Sequence, residues 1–400
     1  MAFVHIVEPD SSKGSWPILA LGFRPFFLLA AIFAVGAIPL WLLVYHGTLT
    51  PASYLPPTIW HGHEMVFGFA VAVISGFLLT AVSNWTGRRT ASGVWLGGLA
   101  ALWILGRIVI FAGAALPDSL VAGIDVAFLP VLAIALTVPI LAAGNRRNAI
   151  FPVVLLGLGA INLLIHLSAM GVVDWSPTAG LRVAIDLILL MIGVLGGRVI
   201  PSFTKNALPA ARVKPCAKAS FLSLLSLAVL AVADAATDVP TWTGTAALVA
   251  GVFNALRMRG WGSLATGRQP ILWILHVGYA WVAVGLILRG IGELTDIVPA
   301  DAGMHALTVG AIGSMIIGMM SRVALGHTGR AIRPAPLTIV AYLMINVAAL
   351  LRVLFATVSE ESWRTMALMG SGLLWSAAFL LFAVVYFPIL SRPRIDGKAG

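Results

Sequence analysis

Apolar stretches of membrane length follow one another along almost the whole chain, divided by short polar or Pro/Gly-rich breaks. They predict twelve spans, near residues 17–45, 60–83, 93–114, 120–143, 149–171, 180–202, 219–237, 242–257, 270–289, 303–326, 335–357 and 364–390. About 20 apolar residues in a helix cross the hydrocarbon core of a bilayer. The eighth stretch is short for this, and the first and last are long enough to tilt. The expected fold class is all-α, a polytopic membrane protein forming a single integral membrane domain over 1–400.

The breaks sort by charge. One set carries Arg88 and Arg89, Arg146 and Arg147, Lys205 to Lys218, Arg257 to Arg268, Arg330 and Arg333, and the tail adds Arg392, Arg394 and Lys398. The alternate set carries Asp118, Asp174, Asp238, Glu293, Asp296, Asp301, Glu360 and Glu361. Basic loops stay in the cytoplasm, so both termini are expected inside and the number of spans even.

Composition narrows the class further. Hydrophobic residues make up 60% of the chain and charged residues 10%, against about 25% charged in a soluble domain. That excludes a soluble enzyme, a disordered chain and a nucleic-acid-binding domain, and the net charge of +10 reports loop orientation instead. Cys216, alone of its kind and set between Lys214 and Lys218, excludes a disulfide framework, a thiolate cluster and covalent c-type haem attachment. Any metal or cofactor must then be held by His, Met, carboxylate or packing. A cleavable leader is not expected, because the first apolar stretch is too long and Glu8 and Asp10 precede it.

Spans 2 and 10 share a pattern. His63, Gly68, Gly76 and Thr86-Gly87-Arg88 in one match His305, Gly310, Gly318 and Thr328-Gly329-Arg330 in the other, at identical spacings. Each following span carries one arginine, Arg107 or Arg352, and span 6 shares the cytoplasmic end through Arg198-Val199 and Thr204-Lys205. Three four-helix repeat units follow as an expectation, 1–147, 148–259 and 260–400, with chance recurrence of small packing residues as the alternative.

Ionisable side chains inside a bilayer are costly, so they mark candidate sites. The expected orientation places His61, His63, Glu64, Arg107, His166, Arg182, Asp186, Arg289, His305 and Arg352 in the outer leaflet. His276 falls nearer the inner side and His327 at the inner end of span 10, while His5 and His46 look terminal or loop-exposed.

The densest motif is Trp60-His61-Gly62-His63-Glu64-Met65. Neutral imidazole suits haem iron and copper. Positions i and i+2 of a helix diverge by about 200°, so shared ligation by His61 and His63 requires a non-helical approach, which Pro56, Pro57 and Gly62 favour. The alternative is an interfacial cap with Trp60 in the aromatic belt.

Glu64 is placed to orient a ligating His or to take up protons. His63 and His305 are the expected axial pair of a b-type haem, and His61, His63, His166, His276 and His305 the candidate metal ligands, with His166 also able to be a packed core histidine. Met65 and Met304 are weaker candidates for Cu(I). Arg107, Arg352 and Arg289 are candidate partners for haem propionates, with pairing to Glu64, Asp186 or Glu293 as the structural alternative. Arg198 and Arg322 near the cytoplasmic face are expected to snorkel.

These motifs resemble the NnrS family of bacterial inner-membrane proteins over nearly the whole chain. The resemblance rests on Gly22-Phe23-Arg24-Pro25-Phe26-Phe27, on Trp60 through Gly68, on Gly196 through Thr204, and on Leu307 through Arg330. It implies a twelve-span protein containing haem and copper, tied to nitric oxide metabolism, denitrification and resistance to nitrosative stress. It implies no ligand assignment, and it leaves Phe23-Arg24-Pro25 without a role.

The expected function is therefore a haem-copper protein that binds or converts nitric oxide, an oxidoreductase if it turns over. Nitric oxide reaches a membrane site through the lipid bilayer, and turnover would require quinol or another electron donor. The competing reading is a twelve-span secondary transporter, with the arginines binding an anion and the histidines coupling protons. A membrane sensor is a third, without a visible soluble signalling domain.

Overall fold

The structure is a computed structural model that describes residues 16–358 and 360–397. His5, Glu8, Asp10 and Lys398, invoked above, lie outside the described residues. Among the described residues there is no strand, and twelve long helices follow one another. They are α1 Phe23–Tyr45, α2 Pro57–Thr86, α3 Val94–Ala112, α4 Asp118–Ala142, α5 Ile150–Ala169 and α6 Pro177–Ala207, then α7 Ala217–Ala236, α8 Pro240–Met258, α9 Pro270–Leu294, α10 Asp301–His327, α11 Pro336–Leu354 and α12 Glu361–Leu390.

Eleven of them are long and apolar enough to cross a membrane. The other is α8, the short eighth stretch, whose first turns carry Thr241, Thr243 and Thr245 and whose last carry Asn254 and Arg257. The chain is a multi-pass membrane protein in contact with lipid.

The helix ends follow local chemistry. Helices α2, α8, α9 and α11 open with a proline, whose missing N–H costs nothing in the first turn. Gly87 closes α2 with φ +65°. Within the spans, the hydroxyls of Thr80, Thr204 and Thr328 donate to the carbonyl four residues earlier, which satisfies them without water.

Helices α2 and α10 are the most enclosed, with 83% and 72% of their apolar windows buried. Each carries a π-helical segment that starts one residue after its motif histidine, Glu64–Ala70 after His63 and Ala306–Gly313 after His305. The wider turn is a local departure often found at functional sites.

The chain divides into two compact units. The first holds the described residues up to Leu181, with Met320–Arg333 and the chain from Phe382 onward. Here Gly76 of α2 leaves room for Phe26 and Phe27, which would lie 2.9 and 3.1 Å from an added Cβ. The Phe23 amide donates to Thr80 Oγ1 at 3.1 Å. Arg24 is buried, and its Nη1 donates to the carbonyls of Leu390 at 2.8 Å and Arg392 at 2.7 Å. This gives Phe23-Arg24-Pro25 a place: the motif fastens α1 to α2 and to the end of α12.

The second unit holds Arg182–Met319 and Pro334–Leu381. Its centre is α9, which meets α8 and α10 through small residues. An added Cβ on Gly285 would lie 2.7 Å from Leu307, and one on Gly310 would lie 2.6 Å from the Trp281 ring. In lipid, where apolar surface gains nothing by leaving the solvent, such close backbone packing holds helices together.

Candidate metal centre

Helix α2 begins at Pro57, and residues 57–63 are helical. The non-helical approach expected for His61 and His63 is therefore corrected: proline at the first helical position starts the helix instead of delaying it. The two histidines point apart, as their spacing in a helix requires. His61 stacks on Trp41, ring centroids 4.4 Å apart. His63 is fully buried.

His63 meets the carboxylate of its neighbour and two groups from other helices. Its Nδ1 lies 3.0 Å from Glu64 Oε1, and its Nε2 lies 2.8 Å from Asn162 Oδ1 and 3.2 Å from Asp125 Oδ2. Asn162 and His166 stand one turn apart on α5 and share a face. His166 Nε2 approaches the same Asp125 Oδ2 at 3.1 Å. Asn162 Nδ2 donates to that oxygen at 2.7 Å. The guanidinium of Arg107 on α3 bridges Glu64 Oε1 and Asp125 Oδ1. Gly106 permits this, since a Cβ there would lie 3.2 Å from Asp125 Oδ1.

Tyr54, in the segment before α2, adds a further partner, its hydroxyl 2.5 Å from His166 Nδ1. Burial first, and the charge of Asp118 second, push the Tyr54 phenol up, so it stays protonated. Its oxygen can accept from an Nδ1–H or its O–H can donate to a bare Nδ1.

His63, Asp125 and His166 each offer one donor atom, all within 4.8 Å of one another. Bonds of about 2.0–2.1 Å to one ion separate neighbouring donors by roughly 3.0–3.4 Å. The observed 3.2 and 3.1 Å edges match that. The remaining ring nitrogens are held by Glu64 and Tyr54, as ligating imidazoles are usually held. With both imidazoles neutral, Glu64 and Asp125 outweigh Arg107 by one negative charge. The buried cluster thus favours one added cation. The donor set fits copper or another borderline metal.

The other candidates lie elsewhere. His276 on α9 has Nε2 2.9 Å from Thr204 Oγ1 and Nδ1 2.9 Å from Ser263 Oγ, the environment of a satisfied core histidine. His305 on α10 donates from Nδ1 to the Asp301 carbonyl at 2.8 Å, and Arg352 acts on it electrostatically. Arg289 on α9 is engaged by Glu293 at 2.7 Å and Asp234 at 2.5 Å, with Asp186 at 3.6 Å. His276, Arg289, His305 and Arg352 belong to the second unit, whereas His61, His63, Glu64, Arg107 and His166 belong to the first.

Sequence reasoning overlooked Asp125, Asn162, Tyr54 and Asp234. An aspartate inside an apolar span is as costly as an arginine, and a search for every acid within the spans would have found Asp125 and Asp234.

None of the curated proteins matches the chain. The family described as NnrS protein matches residues 17–394 of the 400, nearly the whole length. The chain belongs to the NnrS family.

Proposed function

We propose that the chain is a haem- and copper-binding inner-membrane protein that binds or converts nitric oxide and so confers resistance to nitrosative stress. The observation that carries the metal site is the convergence of His63 Nε2 and His166 Nε2 on one Asp125 oxygen, at 3.2 and 3.1 Å. His63, Asp125 and His166 would hold the copper. Copper, when bound, supplies a one-electron couple and an affinity for small diatomic ligands.

The chain's own residues do the rest. Glu64 orients His63 through Nδ1 and stands 3.0 Å away, close enough to exchange a proton with it. Tyr54 fixes the His166 ring. Arg107 bridges Glu64 and Asp125 and holds them in place. The apolar walls of α1 to α5 exclude water while admitting a small apolar gas.

For haem, the geometry favours His305. Its Nδ1–H is spent on the Asp301 carbonyl, so Nε2 is the nitrogen that would hold the haem iron. Arg352 beside it suits a propionate. His63 Nε2 converges with His166 Nε2 on one Asp125 oxygen, so we assign it to copper and not to the haem pair. Arg107 and Arg289 already hold carboxylates, which counts against their binding propionates and against an anion-transport site at either. Turnover would draw electrons from quinol or another donor, whereas sequestration would not.

The test is the copper and haem content of purified protein, with its absorption spectrum. Stoichiometric copper and a haem Soret band are expected. His166→Ala should lose copper and keep haem, and His305→Ala should disturb the haem spectrum. A colourless, metal-free and active preparation would refute the proposal in favour of transport.

A further inference from the structure

A second buried ionic site in the other unit has a different chemistry. Asp186 on α6, Asp234 on α7 and Glu293 on α9 surround Arg289, also on α9. Glu293 is well satisfied: it accepts from Arg289 Nε at 2.7 Å and from Thr243 Oγ1 on α8 at 2.6 Å. Asp234 Oδ1 accepts from Arg289 Nη2 at 2.5 Å.

Asp186 differs. It is fully buried, and neither carboxyl oxygen has a hydrogen-bond partner among the described residues. The same holds for Asp234 Oδ2 and for Arg289 Nη1, which points at Asp186 from 3.6 Å. The Asp186 and Asp234 carboxyls flank one guanidinium, Asp186 facing Nη1 and Asp234 facing Nη2 of Arg289, and each keeps at least one oxygen without a hydrogen-bond partner. Two ionised carboxylates offer only acceptors, so the two can share a hydrogen bond only if one of them carries a proton. A buried carboxylate whose oxygens accept no hydrogen bond costs more than a neutral acid, and of two sharing a site one resists ionising.

We propose that Asp186 and Asp234 form a proton-binding carboxyl pair. One proton from water bonds to an oxygen of one residue and is hydrogen-bonded to the other, and release returns it to water. Arg289 faces both the pair and Glu293. Glu293, at the edge of the cluster with 9% of its side chain exposed, is held apart from the pair by Arg289 Nε and Thr243. No metal ligand takes part, so the site gives the protein a proton-coupling capacity separate from the copper centre.

Infrared spectroscopy of the purified full-length protein in lipid nanodiscs tests this. At neutral pH the wild type should show a protonated carboxylic acid C=O band that shifts in D2O. Asp186→Asn should remove one carboxyl's intensity, and Glu293→Gln should leave it intact. Helix content by circular dichroism serves as the check on folding, and copper content is read separately, so failure of the copper reading is distinguishable from failure of this one. Should Asp186→Asn not fold, Asp125→Asn protein carrying 13C-labelled Asp carboxyls must still show the isotope-shifted band. Absence of the band from the wild type would overturn the proposal. So would its disappearance on adding sodium chloride, which would assign the site to a metal cation.

Discussion

His63 faces an acceptor from each ring nitrogen, Glu64 on one side and Asn162 with Asp125 on the other. A neutral imidazole has a single N–H. The Asn162 amide is oriented by its donation to Asp125, so its oxygen demands a hydrogen from Nε2. A neutral ring cannot donate from both nitrogens, so the cluster accommodates one more positive charge, which a metal would supply. Tyr54→Phe removes the partner of His166 Nδ1, and metal affinity should fall by about 10–100-fold while saturating stoichiometry stays, as a chelator competition would read. Arg107→Ala leaves Glu64 and Asp125 uncompensated and should cost about 3–5 kcal/mol, seen as a lower melting temperature. Adding Asp125→Asn should restore part of that loss. Glu64, Arg107, His63 and His166 were legible because ionisable groups are rare in apolar spans. Their pairing was not: Arg107 meets a residue 43 positions earlier and another 18 later, and no local spacing encodes that.

At the scale of helices, hydrophobic runs located all twelve, because the bilayer forces every backbone group into helical pairing. The start of α2 was misread, since Pro-Pro and Gly look like a turn when the second proline, Pro57, in fact launches the helix. The π-helical segments were illegible, because Glu64–Ala70 and Ala306–Gly313 contain no residue that demands a wider turn. Their matched place after His63 and His305 suggests that the turn sets the histidine against its neighbours. Deleting Val66 should relax the first segment to α-helix and abolish copper binding with unchanged helix content by circular dichroism. Close packing of α9 gives a second outcome. Gly285→Ala forces Leu307 away and should destabilise by about 1–3 kcal/mol. Gly36→Ala, where nothing lies within 4 Å, should be neutral or slightly stabilising in the same thermal assay.

For the whole molecule, the charge pattern and the twelve helices together call for an even number of crossings, with α8 the least apolar of them. A reporter fused after Asp238 should read periplasmic, and one fused after Arg212 cytoplasmic, whereas the reverse would overturn the orientation. Family membership fits a protein whose few membrane-buried charges gather into discrete clusters, each within one compact unit. The central claim is that His63 and His166 are ligands of one copper ion. Pulsed electron paramagnetic resonance of the Cu(II)-loaded protein, which counts the imidazoles coupled to the metal, tests it most directly. Two should appear in the wild type, and one or no bound copper in His166→Ala. A wild-type spectrum without imidazole coupling, or one that His166→Ala leaves unchanged, would contradict the account.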